Sequence, residues 1–403
     1  MFAKHRRLAH PSTLLLLSAV CASAIACSAA PIEEEDEQPK GVPALGGGTH
    51  STDAVEWTVI ATADDGLDGP RDLEFNPSRE GELWVVSRND DSVLRILNAG
   101  QDDQESEHRV DEYALHFMEE VSAISFSQTE KYKDGHIFGT CQESNNTYND
   151  QAMGNGFMGP ALWSSDWEVF GFSNPEAVKA VGSNLGSHLD MMHESPFCMG
   201  IGWETGLIYW TVDGEDETIS RYDFGEHHDV GYDDHSDGEV LRYKDVSYTR
   251  VPDVPSHIVF DQTEKVVYYN DTGSGRLMRF DPSTASRGRD RSNRSMDHGE
   301  YHQMDGGDLT IVLGDPGAEI EQPSGWNEEL GHPSGLTVQG DVIYLTDNQN
   351  SRIIAVNKDG TVLDWLDTGL EPGSLMGVRV DAEGSIWVVD NLANEVIRLR
   401  GKK

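Results

Sequence analysis

The sequence predicts an all-β fold, a six-bladed β-propeller. One pattern returns six times along the chain: a small or apolar turn, a short alternating strand, and a second strand paired to it. The clearest copies are residues 332–356 and 372–399. A unit of this kind buries its apolar face only against its neighbours, so the repetition indicates a repeat architecture. The 43 residues between the equivalent anchors Tyr344 and Trp387 match the size of a four-stranded blade.

The rest of the chain agrees with this architecture. Its 403 residues include 41 glycines and 16 prolines, which suits a turn-rich all-β domain. The other copies of the repeat are residues 70–96, 199–224 and 256–280, with a degenerate one at 122–140. Their wider spacing predicts insertions, which in repeat proteins usually decorate one face. We therefore expect long loops around one mouth of the central channel.

The two ends of the repeat region predict how the ring closes. The last unit stops at Gly401 without a fourth strand, whereas residues 57–63 are strand-like and belong to no blade of their own. A strand from the N-terminal end that completes the last blade would remove an open sheet edge. The alternative is an unrelated edge strand.

Residues 1–27 are typical of an export signal, with Lys4, Arg6 and Arg7 before a short apolar run. The segment from Ala24 to Ser28 resembles the lipobox of bacterial lipoproteins, which implies lipidation of Cys27 and, from Ser28, outer-membrane sorting. That family usually has leucine where Ala24 stands, so ordinary signal-peptidase cleavage is the alternative. The expected location is the outer membrane or cell surface, otherwise the periplasm or the medium.

The composition changes after the signal. Residues 28–54 are acidic and rich in proline and glycine, with few large apolar side chains, and predict a flexible tether. The propeller is then expected to span residues 55–401. Two cysteines remain in it, Cys141 and Cys198. Export to an oxidising compartment favours a disulfide between them, the alternative being two buried thiols.

The formal net charge of −41 restricts the partners. A surface this acidic repels nucleic acid and anionic lipid, so we expect no nucleic-acid partner and membrane contact only through the lipid anchor. We expect a monomer. The exception to the acidic surface is the Arg-rich segment 285–295, which predicts a solvated loop.

Residues 270–281 and 346–356 resemble the NHL repeat, whose hairpins carry Asp-x-x-Asn-x-Arg-Ile, and residues 207–221 resemble the YWTD repeat. Both resemblances imply a six-bladed propeller, and together they extend over residues 57–401 with interruptions. They do not specify a function, because propellers serve as binders, lyases, hydrolases and scaffolds.

Two enzyme families with this fold were compared residue by residue. The peptidyl-α-hydroxyglycine lyase propeller holds axial zinc with histidines at the start of innermost strands. The matching column here reads Asp72, Ala123, Gly200, His257, Gly335 and Gly377. Only His257 fits, and Thr272 stands where that family has a catalytic arginine. The Glu, Asn and Asp metal set of gluconolactonase-like propellers has no match.

Histidines nevertheless predict a transition-metal site. His188 and His193 lie in a long insertion, and His257 and His332 lie near blade openings. Imidazoles suit zinc or copper. Glycine at the equivalent of His257 in three blades would leave room for a ligand at the axis, unless it only relieves crowding there. The alternative for the insertion is that its histidines bond to loop backbone.

A second candidate is a calcium site in residues 231–243. Asp233 and Asp237 follow the spacing of a calcium loop, and Asp234 adds a third carboxylate. His235 replaces an oxygen ligand, and Lys244 stands where the distal glutamate is needed, so a full EF-hand is excluded. The alternative is an acidic turn.

The sequence therefore predicts an exported propeller that binds a protein partner or a small ligand at the loop-crowned channel mouth. The alternative function is that of a metal-dependent lyase or hydrolase with histidines at the axial opening. No nucleophile elbow or phosphate-binding glycine loop is found.

Overall fold

The structure is a computed structural model that describes residues 41–145, 156–291, 297–315, 317, 320–326 and 329–402. The predicted export signal, Cys27 and the first part of the predicted tether lie outside the described residues. No helix within the described ranges is long and apolar enough to cross a membrane.

Six antiparallel sheets form the blades of the predicted propeller. Blade I consists of β2 (Pro70–Phe75), β3 (Leu83–Ser87), β4 (Ser92–Leu97) and β5 (Glu105–Val110). Blade II consists of β6 (Val121–Tyr132), β7 (Gly135–Gln142), β8 (Ala161–Ser164) and β9 (Asp190–Met191). Blade III contains β10 (Cys198–Thr205), β11 (Ile208–Asp213), β12 (Thr218–Asp223) and β13 (Glu239–Tyr243).

The second half of the ring follows the same order. Blade IV consists of β14 (Ile258–Asp261), β15 (Val266–Asp271), β16 (Arg276–Asp281) and β19 (Asp308–Leu313). Blade V consists of β20 (Pro333–Gln339), β21 (Val342–Asp347), β22 (Arg352–Asn357) and β23 (Val362–Asp367). Blade VI consists of β24 (Leu375–Val380), β25 (Ile386–Asp390), β26 (Glu395–Gly401) and β1 (Val55–Ala61). Within the described part of the chain one α-helix is present, α1 (Pro175–Val181), in the insertion between β8 and β9.

The predicted closure is present. β1 pairs antiparallel with β26, with Trp57 opposite Leu399 and Val59 opposite Ile397. The innermost strands β2, β6, β10, β14, β20 and β24 each contact the next, and β24 contacts β2. The ring is therefore complete, and its closing blade is built from both ends of the repeat region.

The hydrophobic core is divided into six clusters, one between each pair of adjacent blades. The second strand of a blade has both faces covered by neighbours, as in β3, in which every residue is buried. That is why these strands are nearly continuous apolar runs. The outer strand β5 is mostly exposed or half-buried and is correspondingly polar.

Two features differ from the sequence predictions: the start of the packed domain and the structure of the Arg-rich segment. The packed domain begins before residue 55, because Leu45 is fully buried between blades V and VI and His50 stacks on Trp365 with ring centroids 3.4 Å apart. The Arg-rich segment is in part a strand rather than a loop. Within the insertion between β16 and β19, β17 (Ser286–Asp290) pairs with β18 (Glu300–Asp305), and β18 adds in parallel to the outer edge of blade III.

Candidate functional site

The axial channel is crossed by a contact between His257 and Asp72. His257 precedes β14 and Asp72 lies on β2, so the two residues belong to opposite blades of the ring. The Nδ1 atom of His257 lies 3.5 Å from Oδ1 of Asp72, and both side chains are buried. Burial lowers the pKa of His257 to about 3 and raises the pKa of Asp72 to about 6.

The axial glycines relieve crowding and do not make room for a ligand. A Cβ atom added to Gly200 would lie 2.1 Å from the Ser256 carbonyl oxygen, and one added to Gly335 would lie 2.2 Å from that of Met376. At Gly377 it would lie 2.6 Å from Asp72 Oδ1. The innermost strands thus approach one another too closely for a side chain at these positions.

Ion pairs within the chain occupy the channel mouth at which the innermost strands begin. The Arg88 guanidinium lies 3.5 Å from the buried Glu143 carboxylate and 3.2 Å from that of Asp253. Arg250 contacts the same Glu143 carboxylate at 2.5 Å. The opposite mouth holds a cavity of about 230 Å³ beside the Arg379–Glu74 ion pair.

A group of histidine and aspartate side chains lies away from the axis, at the outer edge between blades II and III. It contains His188 and His193 from the segments flanking β9, His228 and His235 from the loop between β12 and β13, and Asp190 from β9 itself. The outer strand β9 pairs with β8 through Leu162 and Asp190. We call these five residues the edge cluster.

The disulfide between Cys141 and Cys198 lies in the apolar cluster that also contains Leu189 and Met192, the neighbours of β9. It joins β7 of blade II to the start of β10 in blade III, as the sequence predicts. The loop before β13 packs onto the same region: a Cβ atom on Gly238 would lie 2.5 Å from the Met192 sulfur. Blades II and III are therefore joined by the disulfide and by the contact of the loop before β13 with Met192.

His235 is held between two carboxylates. Its Nδ1 atom donates to Asp190 Oδ1 at 2.9 Å, and its Nε2 atom donates to Asp233 Oδ1 at 3.0 Å. Burial acts to lower the pKa of this imidazole, but the hydrogen bonds and charges of the two aspartates outweigh it and raise the pKa to about 10. Burial raises the pKa of Asp190 to about 6, although His235 opposes this.

His193 has a carboxylate partner of its own. Its Nδ1 atom lies 2.5 Å from Asp297 Oδ1, and its backbone N–H donates to Asp297 Oδ2 at 2.8 Å. The hydroxyl of Tyr301 also donates to Oδ2 at 2.8 Å. Burial acts to raise the pKa of Asp297, but the charge and hydrogen bonds of His193 hold that pKa well below its usual range.

The other two histidines of the edge cluster have a fixed tautomer. His188 Nδ1 lies 2.8 Å from the Leu185 carbonyl oxygen, and His228 Nδ1 lies 2.8 Å from that of Asp229. Since a carbonyl oxygen only accepts, Nδ1 carries the hydrogen in both rings and Nε2 presents a lone pair. Burial lowers the pKa of His188 well below its usual range and that of His228 to about 4. Both rings are therefore neutral at neutral pH.

A cavity of about 410 Å³ opens beside the edge cluster. Aromatic rings form one wall, in which Phe157 stacks on His193 with centroids 4.3 Å apart and lies 4.8 Å from His116. Burial lowers the pKa of His116 to about 3, so that ring is neutral. The lining also includes Leu115, Leu185, Asp233, Asp234, His235, Asp297 and His298, so three carboxylates face the same space. We call this space the edge cavity.

The residues predicted for a transition metal are divided between two regions. The structure brings His188 and His193 together in the edge cluster. His257 lies at the axis, and His332 lies just before β20 of blade V, where its backbone N–H donates to Asp347 Oδ1 at 3.0 Å. The sequence did not indicate that His116, His228 and Asp297 would join the first pair. The only signal was the second concentration of histidines around residues 227–235.

The three carboxylates predicted for calcium have different partners. Asp233 accepts from His235, Asp234 accepts from the Ser236 hydroxyl at 2.7 Å, and Asp237 accepts from the Glu226 backbone N–H at 2.8 Å. Among the described residues they do not form one of the close groups of metal-ligating side chains. A shared calcium site for these residues stays a prediction.

No protein-family model matches the chain, and no curated protein matches it. Solved structures do resemble it. An auxiliary nutrient-binding protein from Bacteroides thetaiotaomicron is 13% identical with a TM-score of 0.52, over 84% of this chain and 70% of that chain. A protein of the same description from Bacteroides ovatus is 12% identical with a TM-score of 0.52, over 88% and 75%. Virginiamycin B lyase from Staphylococcus aureus is 11% identical with a TM-score of 0.45, over 86% and 98%. At these identities the similarity shows the fold.

Proposed function

We propose that this chain is an exported, lipid-anchored propeller that binds a small cationic ligand in the edge cavity. The observation that carries the proposal is the composition of that cavity: aromatic rings and three carboxylates line one space of about 410 Å³. A volume of this order suits a small-molecule site. The signal segment and Cys27 support export and anchoring.

The charge of the edge cavity favours a cation. Asp297 is ionised, and the hydrogen bonds that lower the pKa of Asp233 and Asp234 keep both ionised at neutral pH. The cation of His235 offsets only part of this charge. A positively charged ligand with an apolar body could place its charge beside the carboxylates and its body against Phe157.

Two of the structurally similar proteins are named auxiliary nutrient-binding proteins, which is compatible with a binding role. The channel mouth is the less suitable site, because Arg88 and Glu143 already pair there and the axial strands leave no space beside His257. This is why the proposal places the ligand at the blade edge.

A charge series tests this proposal. Phenethylamine, phenethyl alcohol and 3-phenylpropionate share a phenyl ring and differ in charge. By isothermal titration, the amine should bind at least about fivefold more tightly than the alcohol, corresponding to about 1 kcal/mol for a cation–π contact, and the carboxylate should not bind.

The matched variants are Phe157→Ala, which removes a wall of the cavity, and Phe172→Ala, which truncates a 52% exposed ring outside the residues lining it. The first should weaken amine binding and the second should leave it unchanged. Equal binding of the amine and the carboxylate, or retention of amine binding in Phe157→Ala, would overturn the proposal.

A metal-dependent hydrolase or lyase is the second candidate function. The observation in its favour is that His235 belongs both to the edge cavity and to the edge cluster, so a metal ion held there would face the ligand space. Zinc-dependent release of p-nitrophenol from its acetate ester, reduced in Phe157→Ala, would support it. Return of unaltered ligand from the zinc-loaded protein would favour the binding role.

A further inference from the structure

We propose that Asp190, His228 and His235 form a binding site for a divalent first-row transition ion, for which Zn²⁺ is the probe. Each residue offers one ligand atom, and these atoms all lie within 4.8 Å of one another. Two imidazole nitrogens and a carboxylate oxygen are the donor set that such ions prefer. The site differs from the axial arrangement of histidines that the sequence predicted.

The distances between the three ligand atoms are close to those found around a bound zinc ion. Asp190 Oδ1 lies 2.9 Å from His235 Nδ1 and 4.0 Å from His228 Nε2. Ligand atoms around tetrahedral zinc stand roughly 3.3–3.6 Å apart, given bonds of about 2.0–2.2 Å. Small side-chain rotations are therefore sufficient to place one ion between them.

Unpartnered atoms aimed into the cluster point independently to a ligand. Asp190 Oδ2, His228 Nε2 and His188 Nε2 are buried and have no hydrogen-bond partner among the described residues. The residue Asp190 is 1% exposed and the side chain of His228 is 5% exposed. Buried polar atoms are rarely left without a partner, because their desolvation is then uncompensated. A cation bound by Asp190, His228 and His235 would satisfy the lone pair of His228 and compensate the buried carboxylate of Asp190.

The second layer around the site matches that of known metal centres. Metal-bound histidines usually donate their other ring N–H to a carbonyl or carboxylate oxygen, which fixes the ring and the tautomer. His228 does so to Asp229, and His235 retains its bond from Nε2 to Asp233. His188, also anchored through Nδ1, lies with its ring centroid 4.9 Å from that of His228 and is the nearest candidate for a fourth ligand. On metal binding, the Nδ1 proton of His235 passes to solvent.

A second group of possible ligands provides the comparison. Glu239, Glu300 and His302 also have ligand atoms within 4.8 Å of one another. The Arg287 guanidinium lies 3.2 Å from Glu239 and 3.4 Å from Glu300, and it contacts His302 Nε2. A permanent cation of the chain therefore already occupies that group. Among the described residues Asp190 has no arginine or lysine partner, and its ion-pair partners are the imidazoles of His228 and His235, which can exchange a proton for a metal ion.

The metal site goes beyond the proposed function and is tested separately from it. The charge series with phenethylamine is measured without metal, so either proposal can fail while the other holds. Metal-free protein, prepared with a chelator, is titrated with Zn²⁺ in competition with a chromophoric chelator. We expect one tightly bound ion per chain. His228→Gln should weaken zinc binding at least about 100-fold. Mutation of residues that only hydrogen-bond to a ligand typically weakens metal binding about 10–100-fold, and loss of a ligand itself should weaken it more. His302→Gln should bind zinc as the unchanged protein does.

Cobalt supplies a second measurement. Co²⁺ in the same site should show the visible bands of a tetrahedral centre with nitrogen and oxygen ligands, and these should be lost in His228→Gln. Asp190→Asn is expected to act in the same way, and if it does not fold, His228→Gln decides. Zinc affinity unchanged in His228→Gln, or lost in His302→Gln, would overturn the assignment.

Discussion

Removal of β1 is expected to destabilise the propeller strongly. Without Val55–Ala61, β26 becomes an open edge and the clusters between blades V and VI and between blades VI and I lose part of their apolar surface. We expect a protein that unfolds at a much lower temperature or fails to fold. Deletion of residues 28–40 is the control and should leave the melting temperature nearly unchanged.

A pair of point variants in β1 tests the same closure without altering chain length. Ile60 is 8% exposed and packs between blades VI and I, whereas its neighbour Val59 is 42% exposed. Ile60→Ala should lower the free energy of unfolding by about 2–5 kcal/mol, and Val59→Ala should change it by only about 0.5 kcal/mol. Denaturant titration measures both. Similar decreases in the free energy of unfolding for the two variants would contradict a closing strand with one buried face.

The second large effect concerns the disulfide. Cys141 and Cys198 are separated by 57 residues, and a bond that closes a loop of this length contributes about 4 kcal/mol through the entropy of the unfolded chain. The double variant Cys141→Ala/Cys198→Ala should be less stable by about that amount. A reducing agent should lower the stability of the unchanged protein and have no effect on the double variant.

A free-thiol titration of the denatured protein provides the control, because the unchanged protein should show neither of these thiols before reduction. Two reactive thiols in the oxidised protein, or stability of the double variant equal to that of the unchanged protein, would contradict the assignment.

The fold could be predicted because the repeat is visible in the chain. The anchors Tyr344 and Trp387 lie on the second strands of blades V and VI, where both faces are covered and the sequence must be apolar. Closure by β1 followed from counting strands at the two ends. The start of the packed domain could not be found in this way, because the segment around Leu45 is short and glycine-rich and most of the apolar cluster it joins comes from blades V and VI, about 300 residues further along the chain.

Only some residues of the candidate site could be predicted from the sequence. Histidines and aspartates concentrate near His188 and again near His235, but the sequence does not say that these two segments meet. Their meeting depends on β9, a strand of two residues, and on a loop that packs Gly238 against Met192. Asp297 comes from a third segment, next to a strand that joins blade III from within blade IV. Such contacts between insertions leave no periodic signal.

For the glycines at the axis, the sequence left two interpretations open. Gly200, Gly335 and Gly377 were compatible with an open axis or with close strand approach, and the sequence alone could not separate these. The structure shows close approach, since the nearest backbone or side-chain atoms lie where a Cβ would be. Side-chain size at a propeller axis therefore reports strand spacing at least as much as ligand space.

We propose that the chemistry of this propeller lies at the edge between blades II and III and not at the axis. The most direct measurement is an anomalous difference map from crystals of the zinc-loaded protein, recorded at the zinc absorption edge. We expect one dominant peak within about 2.0–2.2 Å of ligand atoms from Asp190, His228 and His235. A dominant peak between His257 and Asp72 at the axis, with none at the edge cluster, would contradict it.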